Sequence, residues 1–443
     1  MKKTIAKRNI LLAGLLFIIL FTISTVIRKP FDSAGFSMSD ATYHVLLTMQ
    51  AYDETPSSVH HWLPIQTYGQ DFDKFIDNGP SLLQDEAGNS YYVSFSPIGF
   101  YMPYFFCKAF HLGLTVKGIY IFNSLLMLIS SLLVAYILYI IFKNPYIAFI
   151  SAIIYCFMPE IMYTQGIVYW NHSLSQVLLL LQILLFTCLT LENKRRKIYW
   201  VMFYIISFLY PYSEWTGFIS NVGMAIGLFI YDIIIYKDSD GRKRLAVSLE
   251  SIVEVVLLAI VTVGALCYYI FRFSSIASPN EIISTMTSRA EARSNASILA
   301  LLNGYKLSFS PLLILIAVLL ILILICKESR KELKVIVLQK RFWCIFVIAL
   351  FPLLENVIMM QHAISYTFDR LKMVVVLLFI LCCCMEAVKI VSSKLAIILS
   401  IISTCSIFVL GITNYGNSKI IDMEQYNDRS VPIKCGYTFN SKS

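Results

Sequence analysis

Long apolar runs recur along the chain, separated by short polar stretches. A helix needs about 20 apolar residues to cross the hydrocarbon of a bilayer. On that measure the pattern predicts eleven spans, near 9–27, 113–142, 146–159, 173–191, 199–211, 216–236, 248–271, 309–326, 343–360, 371–388 and 395–413. The third and fifth are the shortest. The first follows the basic stretch MKKTIAKR, which also suits a signal peptide. Its apolar run is long, and Arg28 and Lys29 stand where small cleavage-site residues would, so an uncleaved anchor is expected.

With that N-terminus in the cytoplasm, alternation places Lys194 to Lys197, Lys237 to Arg244 and Lys327 to Arg341 on the inner side. More than half of the 36 Lys and Arg residues then fall in short inner segments, as the positive-inside rule requires. The outer segments are 28–112, 272–308, the tail 414–443, and short turns near 160–172, 212–215 and 361–370. The expected class is all-α: a polytopic transmembrane helical bundle of about 11 spans over 1–413. Its first outer loop, 28–112, carries amphipathic helices, and an outer tail closes the chain. No internal repeat divides it.

Composition agrees. The chain is 58% hydrophobic and 14% charged, against about 25% charged in soluble domains, so it lacks the polar surface of a water-soluble globule. The net charge of +9 follows from the basic inner loops, and no nucleic-acid partner is implied. The eleven cysteines lie mostly in apolar runs and form no CxxC pair, which gives no support to a zinc site or redox dithiol. Cys107 and Cys435 are the thiols expected outside the bilayer.

The candidate chemistry gathers at outer span ends. In SDATYHVLLTMQ, helical spacing predicts a short amphipathic helix on the outer interface. Ser37 to Ser39 offer an N-cap, and Asp40 stands at its start, where the helix dipole favours a carboxylate. Such a carboxylate can serve as a general base or simply cap the helix. The aromatic run Tyr91–Phe106, broken by Pro97, Gly99 and Pro103, reads as a re-entrant or interfacial segment. Asn171, His172 and Ser173 open the fourth span, and Glu214 stands between aromatics in an outer turn. His362, Arg370 and Lys372 are cations on the outer side, against the charge trend; Arg suits phosphate bidentately, although Asp369 and Lys372 also have helical pairing distance. Arg289 and Arg293 in the 272–308 loop are further cations, with Glu291 between them. No phosphate-binding loop or dinucleotide motif occurs, so a donor delivered by the membrane is the one that fits this face.

The order of these features resembles the GT-C fold of polytopic glycosyltransferases that use lipid-linked sugars. Ser39-Asp40-Ala41-Thr42-Tyr43 looks like the acid on the first-loop helix, and Phe95-Ser96-Pro97-Ile98-Gly99-Phe100 like the aromatic Ser-Pro-x-Gly segment. Asn171-His172-Ser173 is similar to the Ser-His motif opening the fourth span in bacterial relatives, and Phe368-Asp369-Arg370 to a late Phe-Gly-x-Arg-like motif. The resemblance implies Asp40 as catalytic base. It implies that His172, Glu214, Asn171 and Tyr43 bind substrate, and that Arg370, Lys372, His362 and Arg293 hold a lipid phosphate. The donor would be a polyprenyl-phosphate-linked hexose or pentose. The acceptor would be a cell-surface glycan or glycolipid, as in lipopolysaccharide O-antigen, with membrane lipids around the protein. The setting would be a bacterial inner membrane with the active site outside. Two departures stand out. No Asp-Glu pair adjoins Asp40; Asp53-Glu54 comes later. No large soluble C-terminal domain follows. The first leaves a divalent cation, Mg or Mn, open as cofactor, and the second speaks against a protein acceptor.

Two other readings stay open. An O-antigen-type polymerase or ligase would use Arg289 and Arg293, although that class usually carries its main outer loop later. A lipid-linked sugar transporter or flippase would place broken helices and ionisable groups at the midplane, often in inverted repeats.

Overall fold

A computed structural model of the chain describes residues 2–28, 39–67, 82–192, 197–237, 243–246, 248–292, 296–389, 398, 401–402 and 404–413. Within them the chain is almost wholly helical, with two short antiparallel hairpins pairing Leu82–Gln84 with Ser90–Tyr92 and Ile234–Lys237 with Lys243–Ala246. Among the described residues, the expected apolar stretches fall largely on helices. Among the described residues, six helices are long and apolar enough to cross a membrane: Lys117–Phe142, Asn171–Thr190, Leu249–Phe273, Ile298–Ile325, Lys340–Ile358 and Thr367–Lys389. The pair Pro145–Phe157 and Pro159–Gly166, bent by 59°, makes a seventh if it is one span. This does not establish the expected count of about eleven; Lys197–Ser213 and Thr216–Asp232 are apolar helices of 17 residues each. The tail 414–443 and Cys435 lie outside the described residues.

Local chemistry sets the helix starts. Side chains of Thr115, Asn144 and Ser248 each accept a backbone N–H from the first turn that follows, pairing donors that a helix start leaves unmet. The outer helices turn apolar faces outward. Leu249–Phe273 exposes Ile252, Val256, Ile260 and Val263, and Ile298–Ile325 exposes Leu307, Ile314, Ile321 and Leu324. Continuous apolar surface of that kind suits hydrocarbon, not water.

Asn171–Thr190 is the central helix, buried along nearly its whole length. It packs against Val116–Phe142, Lys197–Ser213, Thr216–Asp232 and Lys340–Leu350. Its polar residues therefore find partners on neighbouring helices. Gln182 Nε2 donates to Ser207 Oγ (2.9 Å) and Asn221 Oδ1 (2.6 Å), and its Oε1 accepts from Ser220 (2.7 Å). Such bonds act as interhelical glue away from water.

The chain reaches that helix through an irregular stretch containing the π-turn Tyr163–Ile167. Unwound backbone needs outside partners. Asn123 Nδ2 lies 3.0–3.2 Å from the carbonyls of Thr164, Gly166 and Val168. Gln165 accepts from Tyr155 OH (2.8 Å) and donates to Ser130 Oγ (3.0 Å) and Ser173 O (3.1 Å). Arg28, which the sequence places as a flank of the first span, is fully buried and donates to Gln165 O at 2.5 Å. It lies so close that a Cβ at Gly166 would stand 2.8 Å from its Nη1.

The predicted first-loop helix forms as Ser39–Glu54, but it is enclosed, not laid on the surface. Val45, Leu46, Leu47, Thr48 and Met49 are all buried. The segment 63–65 covers one side, where Thr48 Oγ1 donates to Ile65 O (2.9 Å) and Tyr52 OH to Leu63 O (3.1 Å). On another side Thr42 Oγ1 accepts from Tyr169 N (3.1 Å). Cys107 is buried as well.

Replacing Asn123 with Ala leaves carbonyls of the 164–168 stretch without their donor. The expected cost is about 1–3 kcal/mol, read as a lowered thermal midpoint of the purified protein. The hairpin pairing Leu82–Gln84 with Ser90–Tyr92 should respond to acid. Burial pushes the Asp85 carboxyl up, but hydrogen bonds from Asn89 and Tyr91 outweigh it and hold the group below its usual range. Its support is therefore present above the unfolded value of about 3.9 and fades as pH falls through the lowered folded value. Hydrogen exchange over 82–92 should rise in that acid window, and Asp85→Asn should flatten the dependence.

Candidate active site

The central helix begins at Asn171, so His172 stands in its first turn at the end of the irregular stretch. The helix hairpin Lys197–Ser213 to Thr216–Asp232 turns at Glu214 beside it. The late segment 354–372, a series of short helical turns, supplies Glu355, His362, Asp369, Arg370 and Lys372. All of these side chains are buried.

Asp369 is the hub. Its Oδ1 lies 2.5 Å from His172 Nε2, and its Oδ2 bonds His362 Nδ1. His172 Nε2 also lies 3.2 Å from Glu214 Oε1. Around Glu214 a second set forms. Thr216 Oγ1 stands 2.9 Å from Glu214 Oε1 and 2.7 Å from Glu355 Oε2, and accepts from Lys372 Nζ at 3.0 Å. Lys372 is ion-paired with Glu355 and lies 3.9 Å from Glu214. The helical spacing of Asp369 and Lys372 therefore does not produce their pairing; each takes a partner from another segment. Buried carboxylates are tolerable only with such partners.

Arg370 points to different groups. Its Nε bonds Ser308 Oγ (2.8 Å) and Glu160 Oε1 (3.3 Å), its Nη2 lies 3.2 Å from Glu160, and its Nη1 donates to Ala363 O (2.7 Å) and Ile364 O (3.0 Å). It ties the Thr367–Arg370 turn to Pro159–Met162 and Ile298–Ile325. Asn171 donates through Nδ2 to Ser213 O and explains the glycine of the Ser-Pro-x-Gly segment: a Cβ at Gly99 would fall 1.6 Å from Asn171 Oδ1. Phe95 of that segment meets Trp170 and His172 edge-on, both at 5.3 Å.

A small pocket opens beside the cluster. His172, Glu214, Glu355 and His362 form its polar wall, and Phe95 and Trp215 an aromatic one.

Of the residues singled out from sequence, His172, Glu214, His362 and Lys372 thus meet in one cluster, with Asn171 adjoining. Asp40 and Tyr43 belong to the Ser39–Glu54 helix, but their side chains lie outside the described residues, as does Arg293. Sequence reasoning gave no role to Glu160 or Thr216 and missed the hub position of Asp369 and the ion pair of Glu355. Glu355 and Glu160 carried a readable signal, since acids within or beside apolar spans are costly and mark functional positions. Among the described residues no group of three or more His, Cys, Asp or Glu is placed to hold a metal ion. The cation that adjoins Glu214 and Glu355 here is the Lys372 ammonium.

No family model matches the sequence, and no curated protein does. Solved structures do match. The apo oligosaccharyltransferase of Archaeoglobus fulgidus aligns over 90% of this chain and 56% of its own, at 12% identity and a TM-score of 0.54. The same organism's oligosaccharyltransferase AglB, in complex with an inhibitory peptide and a dolichol-phosphate, aligns over the same shares at 11% identity and 0.54. ArnT from Cupriavidus metallidurans, bound to undecaprenyl phosphate, aligns over 96% of this chain and 78% of its own at 10% identity and 0.53. The chain spans little more than half the length of the archaeal enzyme. The shared architecture is the GT-C membrane fold that the sequence resembles.

Removing the Lys372 charge tests the cluster. Lys372→Met leaves Glu355 without its ion-pair partner in a buried site and is expected to destabilise the protein by about 3–5 kcal/mol. Adding Glu355→Gln should restore part of that loss in thermal unfolding. Equal midpoints for the single and double variants would contradict the pairing.

Proposed function

We propose that the chain is an integral membrane glycosyltransferase that moves a sugar from a polyprenyl-phosphate donor to a hydroxyl of a glycan or glycolipid acceptor on the extracytoplasmic face. The observation that carries this reading is the buried His172–Asp369–His362 cluster with the small pocket beside it, set at the ends of apolar helices where a lipid-carried donor arrives. The fold is shared with structures solved with dolichol-phosphate and with undecaprenyl phosphate, which supports a donor of that class.

In the reaction the acceptor oxygen bonds to the anomeric carbon. The carbon–oxygen bond to phosphate breaks, and its electron pair leaves on the polyprenyl phosphate. Asp40 takes the acceptor proton. Its place in the first turn of Ser39–Glu54 favours a charged carboxylate, and Thr42, two residues on, docks that helix against the segment leading to His172. For Arg370 or Lys372 to hold the departing phosphate, each must exchange an internal carboxylate, Glu160 or Glu355, for it.

Asp40→Asn is expected to lower transfer from a polyprenyl-phosphate sugar by roughly 10²–10⁴-fold with little change in thermal midpoint, and to exceed the effect of Arg293→Ala. Product formation followed by mass spectrometry of the surface glycan checks this. Loss confined to Arg293→Ala would favour a polymerase, and movement of intact lipid-linked sugar without covalent transfer would favour a flippase.

A further inference from the structure

We propose that the short helix Lys327–Leu338 seats the head groups of anionic phospholipids at the membrane surface, on the side away from the His172–Asp369 cluster. The inference stands on surface chemistry remote from that cluster and does not depend on the sugar-transfer reading.

The helix links two spans. Ile298–Ile325 meets the late segment at Ser308, whose Oγ accepts from Arg370 Nε at 2.8 Å. From Ser308 it runs on to Ile325, roughly 25 Å at the helical rise, before the chain turns into Lys327–Leu338. Lys340–Leu350 then leads back toward Glu355 of the cluster. The connecting helix therefore lies at the opposite end of the bundle, the end that the positive-inside rule assigns to the cytoplasm.

Its two faces differ. Ser329 is buried, and Leu333 and Ile336 pack on the bundle core, where the helix meets Met373–Lys389. On the opposite face Lys327, Arg330, Lys331 and Lys334 are all exposed. Their spacing of three and four residues puts the four charges in one row. Glu328 and Glu332 both fall to one side of that row, and Glu328 accepts from Cys326 Sγ at 3.3 Å. Among the described residues none of the four cations is in an ion pair. Other exposed cations are: Lys143 is paired with Glu192, and Lys389 Nζ lies 3.5 Å from Glu386. Like charges one turn apart repel, so the row is stabilised by an anionic partner from outside the chain.

Apolar residues on the same face decide what that partner is. Leu338 stands one turn beyond Lys334 in the row and is 71% exposed, and Val335 beside it is 51% exposed. Leu324 and Ile325, just ahead of the helix, are exposed as well. A row aimed at the aqueous phase, or at a soluble acidic protein, would leave these side chains in water. At a bilayer surface they enter the acyl boundary, while the lysine and arginine stems lie along apolar surface and carry their charges to the phosphates. A free phosphate would meet the cations and leave Leu338 uncovered. A phosphate diester on acyl chains satisfies both parts of the face, and basic clusters on an amphipathic helix beside a span suit an anionic leaflet.

The test holds the full chain in a neutral detergent and titrates in phosphatidylglycerol or phosphatidylcholine with the same acyl chains. Phosphatidylglycerol is expected to bind more tightly, and its advantage to shrink as salt rises. Lys331→Gln combined with Lys334→Gln should weaken phosphatidylglycerol binding by about tenfold. Lys143→Gln combined with Lys389→Gln removes the same charge elsewhere and should leave it nearly unchanged. All four side chains are exposed, so thermal midpoints without added lipid should match the wild type and separate lost binding from lost fold. Soluble glycerol phosphate should compete poorly. Equal affinity for the two lipids would overturn the proposal, and so would equal losses in the two double variants. Competition by glycerol phosphate at the lipid's own affinity would make the row a site for small anions and overturn it as well.

Discussion

One buried carboxylate, Asp369, fixes the geometry of the end of the helical bundle that carries the cluster. It is bonded to His172 from the central helix and to His362 from its own segment. A carboxylate out of water without partners costs several kcal/mol or changes protonation. The sequence around it is therefore committed to bringing two imidazoles to that point. Arg370, the next residue, is committed in turn to Glu160 and Ser308. Two adjacent charged residues thus pin one short turn to three separate helical segments. These ties hold the polar wall of the pocket, while Phe95 of the first loop and Trp215 of the 214–215 turn line the other side.

The rest of the architecture supplies rigidity to that wall. The central helix is surrounded, so its polar side chains are paired with neighbours and not with water. The irregular stretch ahead of it would be untenable in a membrane without Asn123, Gln165 and Arg28 to meet its carbonyls and hold its shape. His172 is consequently delivered by backbone held on several sides. The Ser39–Glu54 helix docks on the same stretch through Thr42, which links the first loop to the cluster in space although the late segment is some three hundred residues away in sequence.

The helices were legible because apolar length is a one-dimensional property. The outer cluster was partly legible for a related reason: His172, Glu214, His362 and Lys372 are polar residues at span ends on one expected face. Partner choice was not legible. Asp369 and Lys372 have the spacing of a local pair, yet Asp369 goes to histidines and Lys372 to Glu355, because tertiary packing decides which side chains face each other. The enclosure of Ser39–Glu54 was hidden for the same reason. Spacing revealed one apolar face, while the other side is covered by segments 63–65 and 168–170 that meet its Thr and Tyr side chains through backbone groups.

The central claim is that the early acid of the first loop and the late Asp369 segment face one chamber that receives a lipid-carried sugar. An experimental structure of the full chain in nanodiscs, with an unreactive phosphonate analogue of a polyprenyl-phosphate sugar, tests it directly. The account predicts the sugar ring between the Ser39–Glu54 helix and the late segment 354–372, with the Asp40 carboxylate turned toward its anomeric carbon. A ring bound elsewhere, or Asp40 directed away from it, would contradict the account.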